Sequence, residues 1–341
     1  MTIYKSVLGV SLLAGSVLAA PPATTAPPAA APGTVGVHMV VTVEPLSETD
    51  NTVASLGRED FTVRQGKDRL AVTDWVPGRG DSAVLQLFLL IDETSDTSLG
   101  SQLADLRAFF NAQPPTTAIG IGYMRNTTIN IVQNFTNDHA QAANALRLPL
   151  GSLSASDSPY LSLVSLLKGW PESKVRREVI MVTDGIDRLR GYAASAPRIN
   201  PRGGVGAREF SMPYISPDVD TASRAAQRSG VIVYSIYTRG VGHIGRSSLE
   251  ATNGQNGLSK LTDETGGEAF YLGLANPVSF KPYLDRIQVY LDNQYFLAFQ
   301  AKPGKKAGLQ RIKISTEVPK VEVVSADSVW VPAAGQAAAK K

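Results

Sequence analysis

The chain has 341 residues, of which 18% are charged and 43% are apolar, and it contains no cysteine. This apolar fraction is enough for a buried core, the length suggests about two domains, and the lack of cysteine excludes disulfides, zinc ribbons, iron–sulfur clusters and thiol catalysis. The net charge of +3 is spread along the chain without a block of like charges, so nucleic-acid binding has no support.

The N-terminus has the features of an export signal. A short basic start is followed by an apolar run at 6–19, which is shorter than the roughly 20 residues of a membrane-spanning helix and ends in small residues. We therefore predict a signal peptide at 1–19, no transmembrane segment in the mature chain, and export to the periplasm, the cell surface or the extracellular space. The Pro/Ala-rich residues 20–35 are predicted to form a semi-stiff linker.

A small β unit is predicted next, over residues 36–82. Its strand patterns lie at 37–43, 61–63 and 71–76, separated by turn-forming residues.

The pattern changes at 83–91, a nearly continuous apolar run that is typical of a strand covered on both faces of a parallel sheet. Helix and strand patterns then alternate. Helices are predicted at 103–110, 138–146, 160–167, 218–229, 258–265 and 278–291, and strands at 118–124, 128–135, 178–183, 231–237 and 268–271. This alternation favours an α/β fold with a doubly wound, mostly parallel sheet over residues 83–293.

The β pattern returns in residues 294–332, with strands predicted at 295–299, 310–315 and 321–324, before a tail at 333–341 that is expected to be flexible. We predict that the N- and C-terminal β segments pair into one small flanking unit, with the α/β domain inserted between them. Two independent β appendages are the alternative.

Two predicted buried strands end in an acid. Asp92 follows the run at 83–91, and Asp184 follows the strand at 178–183. Because ligands of open α/β sheets bind where the strands end, we expect the two acids to face each other at that edge. Hydroxyl and carboxylate oxygens suit hard divalent cations, and a hydroxyl-rich helix entry with Asp157 and Ser158 lies between the two acids in sequence.

This constellation resembles the metal-ion-dependent adhesion site of von Willebrand factor A (VWA) domains. The family motif is Asp-x-Ser-x-Ser after the first strand, a Thr from a second loop, and an Asp in a Thr/Ser-Asp-Gly turn. Asp92 and Asp184 match the two acids, Thr94 stands for the first Ser, and Asp96 replaces the second. The Thr has no clean match.

Asp157 or Ser158 falls nearest to the missing Thr. The resemblance covers about residues 83–293, and the flanking segments at 56–63 and 293–297 look like those of the exported VWA-related proteins of Acidobacteria.

The resemblance implies a VWA/Rossmann-like sheet and a divalent cation, Mg²⁺ before Mn²⁺ or Ca²⁺. The implied metal ligands are Asp92, Thr94, Asp96, Asp157, Ser158 and Asp184. One open coordination position would accept an acidic group from a protein or envelope ligand, which makes the chain an adhesion-type binding module at the cell envelope. The additional negative charge of Asp96 would weaken the attraction of the metal for that group.

Long irregular stretches are predicted at 185–217 and 238–257, beside the same edge. Loops of this length are usually functional or disordered. The first stretch carries the arginines Arg188, Arg190, Arg198, Arg202 and Arg208. We expect Arg188 and Arg190 to contact the acidic partner, and a non-functional insertion is the alternative.

The sequence favours a binding module over an enzyme. A haloacid-dehalogenase-like phosphatase would use Asp92 as nucleophile and would need an acid at position 94, where Thr94 cannot protonate a leaving group. A structural envelope protein with a degenerate, empty metal site is a further alternative.

Overall fold

Buried strands and helices alternate through the middle of the chain, between a β segment on each side. The computed structural model describes residues 33–46, 56–152, 156–171, 173, 175–190, 215–241 and 248–334. In chain order the strands and α-helices are β1 (Val35–Pro45), β2 (Phe61–Gln65), β3 (Asp68–Leu70), β4 (Val72–Pro77), β5 (Leu85–Asp92), α1 (Gly100–Asn111), β6 (Thr117–Arg125), β7 (Thr128–Thr136), α2 (His139–Ala145), α3 (Pro159–Gly169), β8 (Arg176–Thr183), α4 (Pro217–Ser229), β9 (Val231–Tyr237), α5 (Ser248–Thr265), β10 (Ala269–Phe270), α6 (Lys281–Asp292), β11 (Gln294–Ala301), β12 (Gly308–Arg311), β13 (Lys313–Thr316), β14 (Val321–Ser325) and β15 (Ser328–Val331).

The central sheet has the strand order β10-β9-β8-β5-β6-β7. All of its strand pairs are parallel except β6 with the edge strand β7. Alternate residues of β5 point to opposite faces: Leu89 packs with α1, α2 and α6 on one face, and Leu90 packs with α3, α4 and α5 on the other. The predicted doubly wound, mostly parallel α/β sheet is therefore confirmed.

The two β flanks pair with each other, as predicted. Strand β1 lies between β11 and β14 and is antiparallel to both, in a sheet of order β14-β1-β11-β4. The apolar side chains of Val41 and Phe299 are fully buried in this unit. The alternative of two independent β appendages is excluded, because neither flank has a complete core without the other.

Arg176, at the start of β8, connects the chain segments that enter and leave the α/β sheet. Its guanidinium donates to the carbonyl oxygens of Leu291 at 2.7 Å and of Ala83 at 2.9 Å, and to the side chain of Gln294 at 2.9 Å. This buried side chain thus joins the two chain segments at the insertion point.

Helix α5 starts at Ser248, ten residues before the predicted 258, so the irregular stretch predicted at 238–257 is wrong over its second half. The glycines of this stretch suggest a loop. In the structure, however, Gly254 allows α5 to pack directly on the backbone of Asp184. The strand predicted at 310–315 is two strands, because the chain changes partner at the buried Ile312.

Several sequence predictions fall wholly or largely outside the described residues: the signal peptide at 1–19, most of the linker and most of the tail. The described part of the chain has no helix that is both long and apolar enough to cross a membrane.

Glu178 lies in the middle of the fully buried strand β8 with 0% exposure. Burial raises the pKa of its carboxyl from 4.5 to about 7, against the opposing attraction of Arg176. The native state therefore keeps a proton that the unfolded chain has lost, and the free energy of unfolding must fall as the pH rises through this window.

We predict that Glu178→Gln flattens this loss of stability between about pH 5 and about pH 7, because the amide carries no charge to desolvate. Urea unfolding across that pH range measures the effect. Glu322→Gln, at an exposed position of β14, is the matched control and should keep the wild-type slope. An unchanged slope in Glu178→Gln would contradict the prediction.

Candidate functional site

Strand pairing places two acids next to each other at the carboxyl edge of the central sheet. Ile91 of β5 lies opposite Val182 of β8, so Asp92 lies beside the end of β8 and Asp184 follows one residue later. Asp92 is 3% exposed and Asp184 is 1% exposed. Two buried carboxylates this close need compensation by hydrogen bonds or positive charge.

Asp92 is compensated by the nearby charge of Arg188 and by hydrogen bonds. Its Oδ1 accepts from the backbone N–H of Thr94 at 2.9 Å and from the Thr94 hydroxyl at 2.8 Å, and its Oδ2 accepts from the Thr183 hydroxyl at 2.7 Å. Burial raises the pKa of the Asp92 carboxyl to about 6, and the negative charge of Asp184 adds to the rise, while Arg188 and these hydrogen bonds oppose it.

Asp184 is compensated by a positive charge from its own loop. Its Oδ2 forms an ion pair with Arg188 Nη2. Its Oδ1 accepts from Arg188 Nη1 at 3.3 Å and from the backbone N–H of Ile186 at 2.9 Å. The Arg188 side chain is only 13% exposed. Although burial lowers the pKa of this guanidinium, the carboxylates of Asp184, Asp92 and Asp157 raise it above its ordinary value.

Asp157 joins the same group of charges from the loop before α3. Its backbone carbonyl accepts from the N–H groups of Arg188 at 2.8 Å and Leu189 at 2.9 Å. Its buried Oδ1 accepts from the backbone N–H of Asn126, and the described residues give its buried Oδ2 no hydrogen-bond donor.

The other two predicted ligands cap helices. Asp96 accepts from the Ser98 N–H at 2.7 Å and begins the short 3₁₀ turn Thr97–Leu99. Ser158 is the N-cap of α3 and accepts from the Leu161 N–H at 3.4 Å. Both side chains thus have a local structural role.

Most of the oxygens that a divalent cation would need therefore already accept hydrogen bonds or face an arginine. Asp92 accepts three hydrogen bonds, and both oxygens of Asp184 face Arg188. Within the described ranges, no group of three or more His, Asp or Glu side chains is arranged to hold a metal ion. Mg²⁺ needs several free oxygens in near-octahedral geometry, and this arrangement does not fit it. The Mg²⁺, Mn²⁺ or Ca²⁺ that the resemblance implies is therefore an untested expectation and is not part of the proposed function.

The two arginines expected to contact a partner differ in their surroundings. Arg188 is mostly buried, with 13% of its side chain exposed, and pairs with Asp184, which disagrees with the expected contact to a partner. Arg190 keeps half of its side chain exposed and binds Asp218 through Nε at 2.9 Å and Nη2 at 2.7 Å. The remaining arginines of that stretch, Arg198, Arg202 and Arg208, lie outside the described residues.

Sequence reasoning missed two residues that shape the site. Thr183 stands directly before Asp184, so its position at the end of β8 could have indicated its bond to Asp92. Gly240 gave no signal. It pairs with Ser95 across a β-bridge, and a Cβ there would collide with Asp184 Oδ2 and lie 3.0 Å from Arg188 Nη2.

Comparison with solved structures returns VWA domains among the similar folds. A von Willebrand factor type A protein from Catenulispora acidiphila has 8% identity and a TM-score of 0.41, with 92% of this chain and 76% of that chain covered. The von Willebrand factor domain of a type V pilus tip protein from Porphyromonas gingivalis has 13% identity and a TM-score of 0.36, with 60% and 93% covered. An aerotolerance-related membrane protein from Bacteroides fragilis has 11% identity and a TM-score of 0.37, with 61% and 98% covered.

No protein-family model and no curated protein sequence matches the chain. The predicted resemblance to VWA domains is confirmed at the level of the fold, by the mixed six-stranded sheet with helices on both faces. Similarities at these identities and TM-scores carry no information on function, and the Acidobacterial relationship stays a prediction.

We predict that Gly240→Ala displaces the Asp184–Arg188 ion pair, because the added methyl group has no room beside it. Overpacking of this kind costs about 1–3 kcal/mol in the free energy of unfolding. Chemical unfolding measures the loss. The control is Gly169→Ala, where a Cβ meets no atom within 4 Å; equal stability of the two variants would contradict the predicted crowding.

Proposed function

We propose that the chain is a protein-binding module that uses the carboxyl edge of its α/β sheet. The observation that carries the proposal is the position of the exposed large apolar side chains. Most of those in the described ranges lie on the loops at this edge, and we call them the apolar rim: Leu148, Leu150, Leu189, Ile215, Tyr271, Leu272, Leu274 and Val278. Grouped exposed apolar side chains are typical of protein-interaction surfaces.

Hydrogen bonds connect the rim segment at 271–278 to the start of α1 and to the loops after β5 and β9. Gln102, in the first turn of α1, donates to the carbonyl of Pro277 at 2.6 Å. Asn276 accepts from the backbone N–H of Arg239, whose carbonyl accepts from the Asp96 N–H at 3.2 Å. The backbone N–H of Leu150, in a second rim segment, donates to the Glu93 carboxylate at 2.7 Å. These contacts bring two segments of the apolar rim together around the end of β5.

Exposed arginines accompany the apolar rim. Arg125 and Arg239 are exposed at the same edge, and Arg190 is half exposed. A partner that presents apolar and acidic side chains together would complement this surface, so the acidic group expected from the sequence remains part of the proposal. Salt should weaken the charged component, because exposed charges are screened over about 8 Å at physiological ionic strength.

The geometry favours binding over catalysis. Asp92, the nucleophile of the phosphatase alternative, is buried and accepts hydrogen bonds on both oxygens. A nucleophile must be accessible to its substrate, and only 3% of Asp92 is exposed. We therefore propose no enzymatic activity. We also propose that the module acts at the cell envelope, because the sequence predicts an export signal at 1–19.

We predict that Leu150→Asp and Leu272→Asp weaken binding of the protein partner. The two positions are 56% and 65% exposed. A charge in the centre of an apolar contact should weaken binding at least about tenfold, or about 1.4 kcal/mol. Cross-linking in envelope extracts and mass spectrometry identify proteins captured by the wild type, and titration with the purified candidate gives Kd.

The matched control for the apolar rim is Ile131→Asp on the edge strand β7, where Ile131 is 45% exposed. It should bind like the wild type. Identical capture by all variants would count against the carboxyl edge as the binding surface.

The export signal yields a separate prediction. Expression in a bacterium with a periplasm should give a mature chain that starts at Ala20, as measured by intact mass. In the control variant Ala19→Arg, the small residue before the cleavage site is lost and residues 1–19 should stay attached. A wild-type chain that retains them would refute the signal peptide.

A further inference from the structure

We infer that Arg188 is a built-in cation of the acid cluster: it holds Asp184 and Asp92 together and excludes divalent metal ions from them. The two carboxylates are buried side by side, and the guanidinium of Arg188 contacts Asp184 with both of its terminal nitrogens. A guanidinium keeps its charge at every accessible pH, so this compensation is permanent.

Arg188 is held in place from several directions. Its backbone N–H donates to the carbonyl of Asp157 at 2.8 Å, and its Nη1 lies 3.4 Å from the carbonyl oxygen of Ile186. Gly240 leaves room for the ion pair, since a Cβ there would lie 3.0 Å from Arg188 Nη2. The ion pair is therefore built into the fold and does not depend on a chance surface rotamer.

A divalent ion and the guanidinium cannot occupy this cluster together. A metal bound to Asp184 would require oxygens that now accept from Arg188, and the two positive charges would repel each other in a poorly solvated site. Removal of Arg188 should allow a divalent ion to bind in its place. The Asp184 carboxylate would then lose its guanidinium donor, and the charges of Asp92 and Asp157, which also act on Arg188, would lack a nearby cation. Carboxylate oxygens freed in this way are the ligands that Mg²⁺ or Mn²⁺ takes, once the side chains turn toward the ion.

Calorimetric titration of the purified protein with Mg²⁺ and Mn²⁺, alone and without any partner, tests the inference. The wild type should show no binding at millimolar metal and no shift in Tm. Arg188→Ala should bind at least about tenfold more tightly than the wild type, and its Tm should rise with added metal because ligand binding stabilises the folded state. The double variant Asp184→Asn/Arg188→Ala should lose this gained binding.

The matched control is Arg147→Ala, which removes an arginine that pairs with the single carboxylate of Glu93 at the same edge. It should gain no metal binding. Arg188→Gln retains more of the side-chain volume and serves as the second variant if Arg188→Ala unfolds in metal-free buffer, where metal should restore its fold.

Three results would overturn the inference. One is a wild type that binds Mg²⁺ or Mn²⁺ as tightly as Arg188→Ala does. Another is a folded Arg188→Ala or Arg188→Gln that binds neither ion. The third is failure of millimolar metal to restore the fold of both variants, because a divalent cation should replace the lost positive charge.

Discussion

The parallel pairing of β5 with β8 is the constraint on which the candidate site depends. It brings Asp92 and the turn after β8 together at one edge and buries both carboxylates. Buried like charges are unfavourable unless donors or a cation compensate them. The surrounding residues supply both: hydroxyls and N–H groups bond Asp92, and Arg188 pairs with Asp184. The residues around the acid pair must therefore supply hydrogen-bond donors or positive charge.

Two glycines are also needed to fit the chain around the acid pair. Gly240 follows β9 and stays small because the Asp184–Arg188 pair fills the adjacent space. Gly254 lies inside α5 and allows the helix to approach the Asp184 backbone closely. A glycine in a helix interior costs about 1 kcal/mol relative to alanine. The close packing of α5 over the strand end offsets this cost, so helix propensity gives way to a tertiary contact.

Local patterns were sufficient for most of the fold. The apolar run before Asp92 and the strand before Asp184 are buried on both faces. Such strands are nearly continuous apolar runs, which can be recognised in a sequence. The start of α5 and the division of the strand at Ile312 were missed, because both depend on distant contacts: Gly254 against Asp184, and β12 and β13 against different partners. Periodicity carries no information about such contacts.

The candidate site likewise has a part that the sequence predicts and a part that depends on tertiary contacts. Strand ends determine where Asp92 and Asp184 lie, and these positions were predictable. What each oxygen bonds to was not, because Asp96 caps a 3₁₀ turn and Arg188 turns inward to Asp184. A motif specifies residue types at a spacing, and a carboxylate at such a position can bind a metal, cap a turn or pair with an arginine. The choice is decided by the nearest positive charge, which here comes from a residue four positions after Asp184 that a linear motif does not include.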